Sequence, residues 1–236
     1  MQKGPGEAAP DAAADAGMAG RRPGARNRDR AEEGLLVAGL NVLVMMLLVL
    51  FYLLFLGRSL LLIGQGVNPW MLGKGKRGLR QAVELLFLVG LVYWTFENFN
   101  AALGYRWPVL PELFYRPFFT SHALAGAGCL AMLLGLFLFS WALFSFGASW
   151  RIGIDRHSPG RLVTGGIFGT TRNPVFVAVD LFFLGSLLIY ANLSFLLIFV
   201  LAALGIHYQI LQEERFLLEQ YGEAYARYQK QVHRYF

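Results

Sequence analysis

The sequence predicts an all-α, polytopic transmembrane helical bundle that ends in an amphipathic helix at the membrane interface. First, 56% of the 236 residues are hydrophobic and only 15% are charged, which is unusual for a soluble globular domain. Second, about five apolar runs recur along the chain with roughly the length that crosses about 30 Å of hydrocarbon. Third, the charged C-terminal segment carries apolar and aromatic side chains at helical spacing.

The chain is predicted to have three regions. Residues 1–33 are rich in Ala, Gly, Pro and charge and lack apolar periodicity, so we expect a disordered tail. Residues 34–146 contain the first three spans. Residues 147–236 contain a polar loop, a helical hairpin and a charged helix that continues to the end of the chain. The first span is too long for a signal peptide and lacks a cleavage site, so we expect it to be retained.

The spans themselves are predicted at 34–56, at about 82–96, from 122 to about 146, and from starts near 174 and 194. A Pro- and aromatic-rich loop, "NFNAALGYRWPVLPELFYRPFFTS", connects the second span to the third. The third span contains "ALAGAG", whose small side chains allow close helix packing. Only "YANLS" separates the last two spans, which predicts a tight antiparallel hairpin.

The distribution of charge predicts the orientation and limits the partners. A net charge of +6 suits basic loops beside anionic lipid, and no nucleic-acid partner is needed to explain it. With the N-terminus outside, 13 Lys and Arg fall on the inner side and eight on the outer side. The positive-inside rule then places the polar loop and the C-terminus in the cytoplasm. The single cysteine, Cys129, excludes an intrachain disulfide and a cysteine-based metal cluster.

A first candidate motif, "TRNP", runs directly into the fourth span. Asn173 and Pro174 suit the N-cap and the first position of a helix, so the motif could be a helix start alone. However, Arg172 lies at the amide end of that helix, where backbone donors, the helix dipole and the guanidinium all favour an anion. Gly165 and Gly166 would let the backbone approach a ligand closely. The residues alone leave both interpretations open.

Asp180 adds a second chemical group to this face. It follows Asn173 by seven residues, which is two helical turns, so the two side chains face the same way. An acidic side chain within a membrane span costs free energy because hydrocarbon does not solvate it, so its presence there is first interpreted as functional. The alternative is an internal ion pair with a nearby arginine.

The C-terminal segment contains the second candidate motif. Glu213 and Glu214 are adjacent acids at the membrane end of the fifth span, and they could accept hydrogen bonds from a ligand's hydroxyls or ammonium. A solvated pair at a helix boundary is the alternative. His207 and Glu214 fall on one helical stripe, which consists further of Leu211, Leu218, Tyr221, Tyr225, Tyr228, Val232 and Tyr235. The histidines are scattered without metal-ligand spacing, so we predict no metal site.

Together the two motifs resemble the membrane methyltransferases of the isoprenylcysteine carboxyl methyltransferase and phospholipid methyltransferase superfamily. That family has a Leu-x-x-x-Gly-x-Tyr-x-x-x-Arg-His-Pro-x-Tyr run that opens a helix. A helical hairpin follows, and then Glu-Glu-x-x-Leu, Phe-Gly-x-x-Tyr-x-x-Tyr and a Val-x-Arg ending. Here the two runs read "LVTGGIFGTTRNPVF" and "EERFLLEQYGEAYARYQKQVHRYF". The resemblance covers about residues 147–236, and the first 146 residues carry no motif of the family.

The resemblance implies that S-adenosylmethionine binds at the cytoplasmic membrane face and that a lipophilic acceptor arrives from the bilayer. By position, Arg172, Asn173 and Glu214 would carry the reaction. Asp180 and His207 are further candidates for contact with the acceptor. The cofactor-binding residues implied by the resemblance are Leu162, Gly166, Arg172, Asn173, Pro174, Glu213, Glu214, Tyr221 and Tyr225.

Three departures from the family pattern matter. Asn173 replaces the usual His, whereas Phe168 and Phe176 replace tyrosines. Since an amide cannot hold a proton near neutral pH, we do not expect this position to act as a general base. The acceptor could be a carboxylate, an amine or a thiol. The alternatives to a methyltransferase are an NADPH-dependent membrane enzyme resembling sterol reductases and a non-catalytic membrane scaffold.

Overall fold

The computed structural model describes residues 23–70, 78–147, 150 and 161–236. Every regular element within these ranges is a helix, which confirms the predicted fold class. The α-helices are α1 (Pro23–Gly64), α2 (Leu79–Ala102), α3 (His122–Phe146), α4 (Pro174–Tyr190), α5 (Leu193–Tyr221) and α6 (Glu223–Gln231). Short 3-10 helices occupy Glu112–Tyr115 and Gly166–Gly169.

Four of these helices, α1, α2, α3 and α5, are long and apolar enough to cross a membrane. Helix α4 is equally apolar but has only 17 residues. Large apolar side chains point outward from the bundle: Leu86 is 69% exposed, Phe144 84% and Leu201 68%. Surfaces of this kind are liabilities in water but are expected where hydrocarbon surrounds the helices.

The chain forms two compact units, Met1–Leu40 and Asn41–Phe236. The second unit has an aromatic core to which four helices contribute. The ring of Phe51 lies 4.7 Å from that of Phe139 and 5.0 Å from that of Phe182. The ring of Trp94 lies 4.8 Å from that of Phe183. Since aromatic pairs at such distances add to the energy of burial, this core holds α1, α2, α3 and α4 together.

Helices α3 and α4 approach each other at glycines, and the close packing that "ALAGAG" allows is made with α4. A Cβ atom added to Gly128 would lie 2.6 Å from the carbonyl oxygen of Gly185. One added to Gly135 would lie 2.8 Å from the carbonyl oxygen of Ala178. Only glycine therefore fits at these two positions, and the backbones of α3 and α4 touch there.

The predicted hairpin between α4 and α5 is confirmed. Two residues separate the helices: Ala191, in the left-handed region with φ 42°, and Asn192. The Asn192 side chain caps α5 by accepting a hydrogen bond from the backbone N–H of Phe195 at 3.1 Å. Because the turn is so short, the start of α4 and the later part of α5 lie on the same side of the bundle.

Two boundaries differ from the prediction at the N-terminal side. Helix α1 begins at Pro23, so residues 23–33 are helical and the expectation of disorder there is wrong; residues 1–22 lie outside the described residues. The Ala, Arg and Glu residues before the span are good helix formers, and adding residues to an existing helix is easier than nucleating one. Helix α2 continues to Ala102 rather than ending near residue 96.

The extension of α2 is explained by hydrogen bonds that its asparagines make inside the bundle. Ser186 of α4 receives a hydrogen bond from the Trp94 indole at 3.1 Å and donates one to Asn98 Oδ1 at 2.9 Å. Asn98 donates in turn to the Trp94 carbonyl at 2.8 Å. Polar residues that suggested a loop are therefore satisfied within a buried helix–helix contact.

The C-terminal helix is not continuous, contrary to the prediction. Helix α5 ends at Tyr221, and Gly222 turns the chain with φ 54° before α6 begins. Glycine takes this backbone conformation without steric cost. Helix α6 ends at Gln231, and Val232 has extended backbone angles. The stripe from Leu211 to Tyr235 therefore does not form one helix face.

Candidate functional site

The two motifs meet in a buried ion pair. Arg172 precedes α4, and Glu214 lies near the end of α5, on the same side of the bundle. Arg172 Nη2 and Nε lie 2.8 Å and 3.1 Å from Glu214 Oε1. The side chains are 9% and 6% exposed, so both charges are largely removed from solvent. Because an unpaired buried charge costs several kcal/mol, each of the two residues needs the opposite charge of the other to remain buried.

A second arginine binds the other oxygen of the same carboxylate. Arg234 Nη2 and Nε lie 2.7 Å and 3.1 Å from Glu214 Oε2. These hydrogen bonds raise the pKa of the Arg234 guanidinium above its usual value. The Arg234 side chain remains 36% exposed. The cluster of Arg172, Glu214 and Arg234, here called the ion triad, has two positive charges and one negative charge.

Arg172 is also bonded to the end of the chain. Its Nη1 donates to the Gln229 carbonyl at 2.9 Å and to the Val232 carbonyl at 2.7 Å. Each guanidinium nitrogen therefore has a protein acceptor. In this conformation Arg172 organises the site and offers little free donor capacity to an anion.

The last five residues, 232–236, form what we call the C-terminal strap across the "TRNP" motif. The backbone N–H of Arg172 donates to the His233 carbonyl at 3.0 Å. The Arg234 carbonyl accepts from Asn173 Nδ2 at 3.0 Å and from Thr171 Oγ1 at 3.2 Å. Asn173 occupies the N-cap position of α4 and Pro174 its first turn, as predicted, but the Asn173 side chain does not cap the helix. It holds the strap instead.

Gly166 has a structural role that the sequence did not indicate. Its φ is +63°, and an added Cβ would collide with the Ser145 side chain of α3. Ser145 also accepts a hydrogen bond from the backbone N–H of Ile167 at 3.4 Å. In contrast, a Cβ at Gly165 would meet nothing within 4 Å. Contact with α3 alone is thus enough to require glycine at position 166.

Predicted cofactor residues from both motifs lie in one apolar cluster. It is built around Ala142, Ile167, Phe168, Tyr225 and Tyr228, with Leu162, Val175 and Tyr221 packed against it. The Tyr228 hydroxyl donates to the Phe168 carbonyl at 2.6 Å. Burial raises the pKa of Tyr225 above its usual value and that of Tyr228 to about 12, so both phenols are neutral at physiological pH. Glu213 is half-buried and acts electrostatically on Tyr225.

The two predicted acceptor residues lie near the strap. His207 Nδ1 and the Tyr235 hydroxyl are 2.6 Å apart, and their rings stack with centroids 6.2 Å apart. Burial raises the pKa of Tyr235, and the nearby Asp180 carboxylate adds to this. Within the described residues, Asp180 Oδ1 is buried without a hydrogen-bond partner. Tyr235, which the sequence analysis gave only as a member of the C-terminal stripe, thus contacts His207 and lies near Asp180.

Sequence reasoning missed Arg234 and Ser145, and it gave Thr171 and Tyr228 only as members of a motif and a stripe, without a contact. For Arg234 a signal existed, because it is the arginine of the Val-x-Arg ending. The backbone carbonyls of the strap could not be recognised from the sequence, since every residue has a carbonyl.

The sequence model of a family described as phospholipid methyltransferase matches residues 124–224. The match includes Arg172, Asn173 and Glu214 and ends before Arg234 and the strap. It also begins in α3, earlier than the resemblance suggested. No curated protein matches the chain.

Proposed function

We propose that this protein, whose residues 124–224 belong to the phospholipid methyltransferase family, transfers a methyl group from S-adenosylmethionine to a lipophilic acceptor. The family match and the four membrane-length helices support a membrane methyltransferase. The observation that carries the finer proposal is the ion triad, in which Arg172 of the first motif and Glu214 of the second share one buried site.

The residues present suit S-adenosylmethionine. The excess positive charge of the ion triad favours the carboxylate of the cofactor's amino acid, and Arg234 is its partly exposed member. Glu213 would accept hydrogen bonds from the ammonium or from ribose hydroxyls. The neighbouring cluster with Leu162, Tyr221 and Tyr225 offers an apolar wall. Gly166 and Pro174 would complete the site by fixing the backbone on either side of Arg172.

S-adenosylmethionine, when bound, supplies a methyl group already activated by the sulfonium, so the protein needs no nucleophile of its own. The chain's contribution is orientation and the exclusion of water. Arg172 holds Glu214 in place, and Asn173 holds the strap through the Arg234 carbonyl. Since Glu214 accepts four hydrogen bonds from the two arginines, it can contact the cofactor only when Arg234 turns away.

The acceptor would lie deeper in the membrane than the cofactor. Asp180 is about 9 Å along α4 from Pro174 at 1.5 Å per residue, and it lies near Tyr235, whose hydroxyl contacts His207. We propose that Asp180 and His207 contact the reacting end of the acceptor, whether it is a carboxylate, an amine or a thiol. We further propose that the ion triad and the C-terminus face the cytoplasm, because more Lys and Arg fall on that side.

The proposal is tested by incubating the purified protein with methyl-labelled S-adenosylmethionine and a lipid extract. Mass spectrometry should find a labelled lipid, and Glu214→Gln should reduce its amount strongly. Thermal shift with S-adenosylhomocysteine and with NADPH distinguishes the alternatives. Stabilisation by NADPH alone would support a reductase, and stabilisation by neither compound would support a scaffold.

A further inference from the structure

The C-terminal strap lies across the start of α4 and is bonded there at several points. Its backbone carbonyls accept hydrogen bonds from the backbone N–H and Nη1 of Arg172. They also accept from Thr171 Oγ1 at 3.2 Å and from Asn173 Nδ2 at 3.0 Å. Because three consecutive residues of the motif bind its backbone, the strap must move before a ligand can reach the amide end of α4.

Two neighbouring side chains of the strap occupy residues of the proposed methyl-transfer site. Arg234 Nη2 lies 2.7 Å from Glu214 Oε2, on the side proposed for the cofactor. The Tyr235 hydroxyl lies 2.6 Å from His207 Nδ1, on the side proposed for the acceptor, and the two rings stack. The strap therefore covers residues of both binding sites at once.

The two contacts cannot be released independently when the strap moves. Consecutive Cα atoms are about 3.8 Å apart, so a backbone movement that takes Arg234 away from Glu214 also takes Tyr235 away from His207. Asp180 is close enough to act electrostatically on Tyr235, and its buried Oδ1 has no hydrogen-bond partner in the described part of the chain. Release of the strap would therefore uncover Asp180 and His207 together.

A carboxylate is the group best suited to release the strap. The ion triad has two positive charges and one negative charge, so it can take one further anion. A second carboxylate offers the Arg234 guanidinium the same charge-assisted hydrogen bonds that Glu214 offers. Arg234 can then exchange one carboxylate for the other without losing hydrogen bonds of this strength.

We propose that the strap is a gate that the carboxylate of the cofactor opens. The carboxylate takes Arg234 from Glu214, and the movement of Tyr235 that follows opens the acceptor side at Asp180 and His207. This inference rests on the proposed function and adds an order to it, in which the cofactor binds before the acceptor.

The first test measures the cost of opening. Tyr235→Phe keeps the ring but removes the hydroxyl that holds His207, so opening costs less and S-adenosylhomocysteine should bind about three- to tenfold more tightly. Tyr190→Phe is the matched control, because it removes a hydroxyl that donates to Asn41 Oδ1 at 3.5 Å at the other end of α4. It should bind S-adenosylhomocysteine as the unchanged protein does in calorimetric titration.

The second test follows the release of His207 in the full-length protein in lipid nanodiscs. Diethyl pyrocarbonate modifies accessible imidazoles, and mass spectrometry compares His207 with His122, an exposed histidine at the far end of α3. S-adenosylhomocysteine should raise the ratio of modified His207 to modified His122 severalfold. Methylthioadenosine has the adenosine and the thioether but no carboxylate, so it should leave the ratio unchanged.

The gate is contradicted if Tyr235→Phe binds S-adenosylhomocysteine no more tightly than Tyr190→Phe does. It is also contradicted if both compounds, or neither, change the modification of His207. Binding of S-adenosylhomocysteine without a change at His207 would overturn the gate alone. If the unchanged protein does not bind S-adenosylhomocysteine at all, the proposed function fails together with the gate.

Discussion

Arg172 and Glu214 are 42 residues apart in the sequence, yet Nη2 of one lies 2.8 Å from Oε1 of the other in a largely buried ion pair. The α4–α5 hairpin makes this possible by returning the chain to the same side of the bundle. The pair joins the two motifs of the family-matched segment. Glu214 also binds Arg234, and Arg172 also binds the strap. The predictions below follow from this arrangement and from the helix packing that supports it.

The energetic coupling of Arg172 and Glu214 should be large. Arg172→Ala leaves the Glu214 carboxylate with only Arg234, and breaking a buried pair in this way costs about 3–5 kcal/mol. The double variant Arg172→Ala/Glu214→Ala should lose less stability than the two single variants together. Unfolding of all four proteins in mixed micelles measures the difference. Additive losses would show that the pair does not act as a unit.

Arg234 should matter for cofactor binding more than for stability. Because its side chain is 36% exposed, Arg234→Ala should destabilise less than Arg172→Ala but should weaken S-adenosylhomocysteine binding. The control is Arg227→Ala, which removes an arginine whose side chain is 70% exposed in a surface pair with Glu223. Isothermal titration of S-adenosylhomocysteine into both variants should show weaker binding only for Arg234→Ala. If the two variants bind S-adenosylhomocysteine with equal affinity, Arg234 is not part of the cofactor site.

Gly166→Ala should destabilise the protein by about 1–3 kcal/mol, since the new Cβ collides with Ser145 and φ is positive. Gly165→Ala should change stability little, because a Cβ there meets nothing within 4 Å. Ser145→Gly should partly rescue Gly166→Ala by removing the colliding atoms. Thermal melting of the three variants is the measurement, and a failure of rescue would leave backbone strain as the cause.

Gly128 and Gly126 should respond oppositely to the same change. Gly128→Ala places a Cβ 2.6 Å from the Gly185 carbonyl, so α3 and α4 must separate, at a cost of about 1–3 kcal/mol. Gly126→Ala meets nothing and should be neutral or slightly stabilising, as alanine is the better helix former. If the two variants melt at the same temperature, the close crossing of α3 and α4 is not as described.

Asp180→Asn should affect the acceptor and not the cofactor. The substitution keeps the shape of the side chain but removes its negative charge, so the KM for the acceptor should rise while S-adenosylhomocysteine binds with unchanged affinity. Methyl-transfer kinetics and calorimetry on the same preparation separate the two effects. An unchanged KM would place Asp180 outside the acceptor site.

The parts of the fold that local sequence determines were predictable. Small residues in "ALAGAG" indicated that α3 packs closely against another helix, although not against which one, and the short "YANLS" connection identified the α4–α5 hairpin because a connection of this length leaves few alternatives. The break at Gly222 was missed, although a glycine after a helical run is a signal for a helix end. The helical continuation of α2 was missed because its asparagines are satisfied only by tertiary partners such as Ser186.

At the site, the residues of both motifs were named from sequence, but their mutual contacts were not. Arg172 was expected to offer its guanidinium to an anion, whereas Glu214, Gln229 and Val232 accept its hydrogen bonds. Sequence spacing predicts the helix face on which a side chain lies, but it does not predict which groups accept the hydrogen bonds of that side chain. The strap can be recognised only from the structure, because it binds the "TRNP" motif through backbone carbonyls, which every residue has.

The central claim is that the ion triad forms part of a site for S-adenosylmethionine, and calorimetric titration of S-adenosylhomocysteine tests it most directly. The unchanged protein should bind, and Glu214→Gln and Arg172→Ala should weaken binding by about tenfold or more, equivalent to about 1.4 kcal/mol. Glu219→Gln, an exposed glutamate on the same helix, should bind normally. If Glu214→Gln and Arg172→Ala are folded by thermal melting and bind as tightly as the unchanged protein, the claim is contradicted.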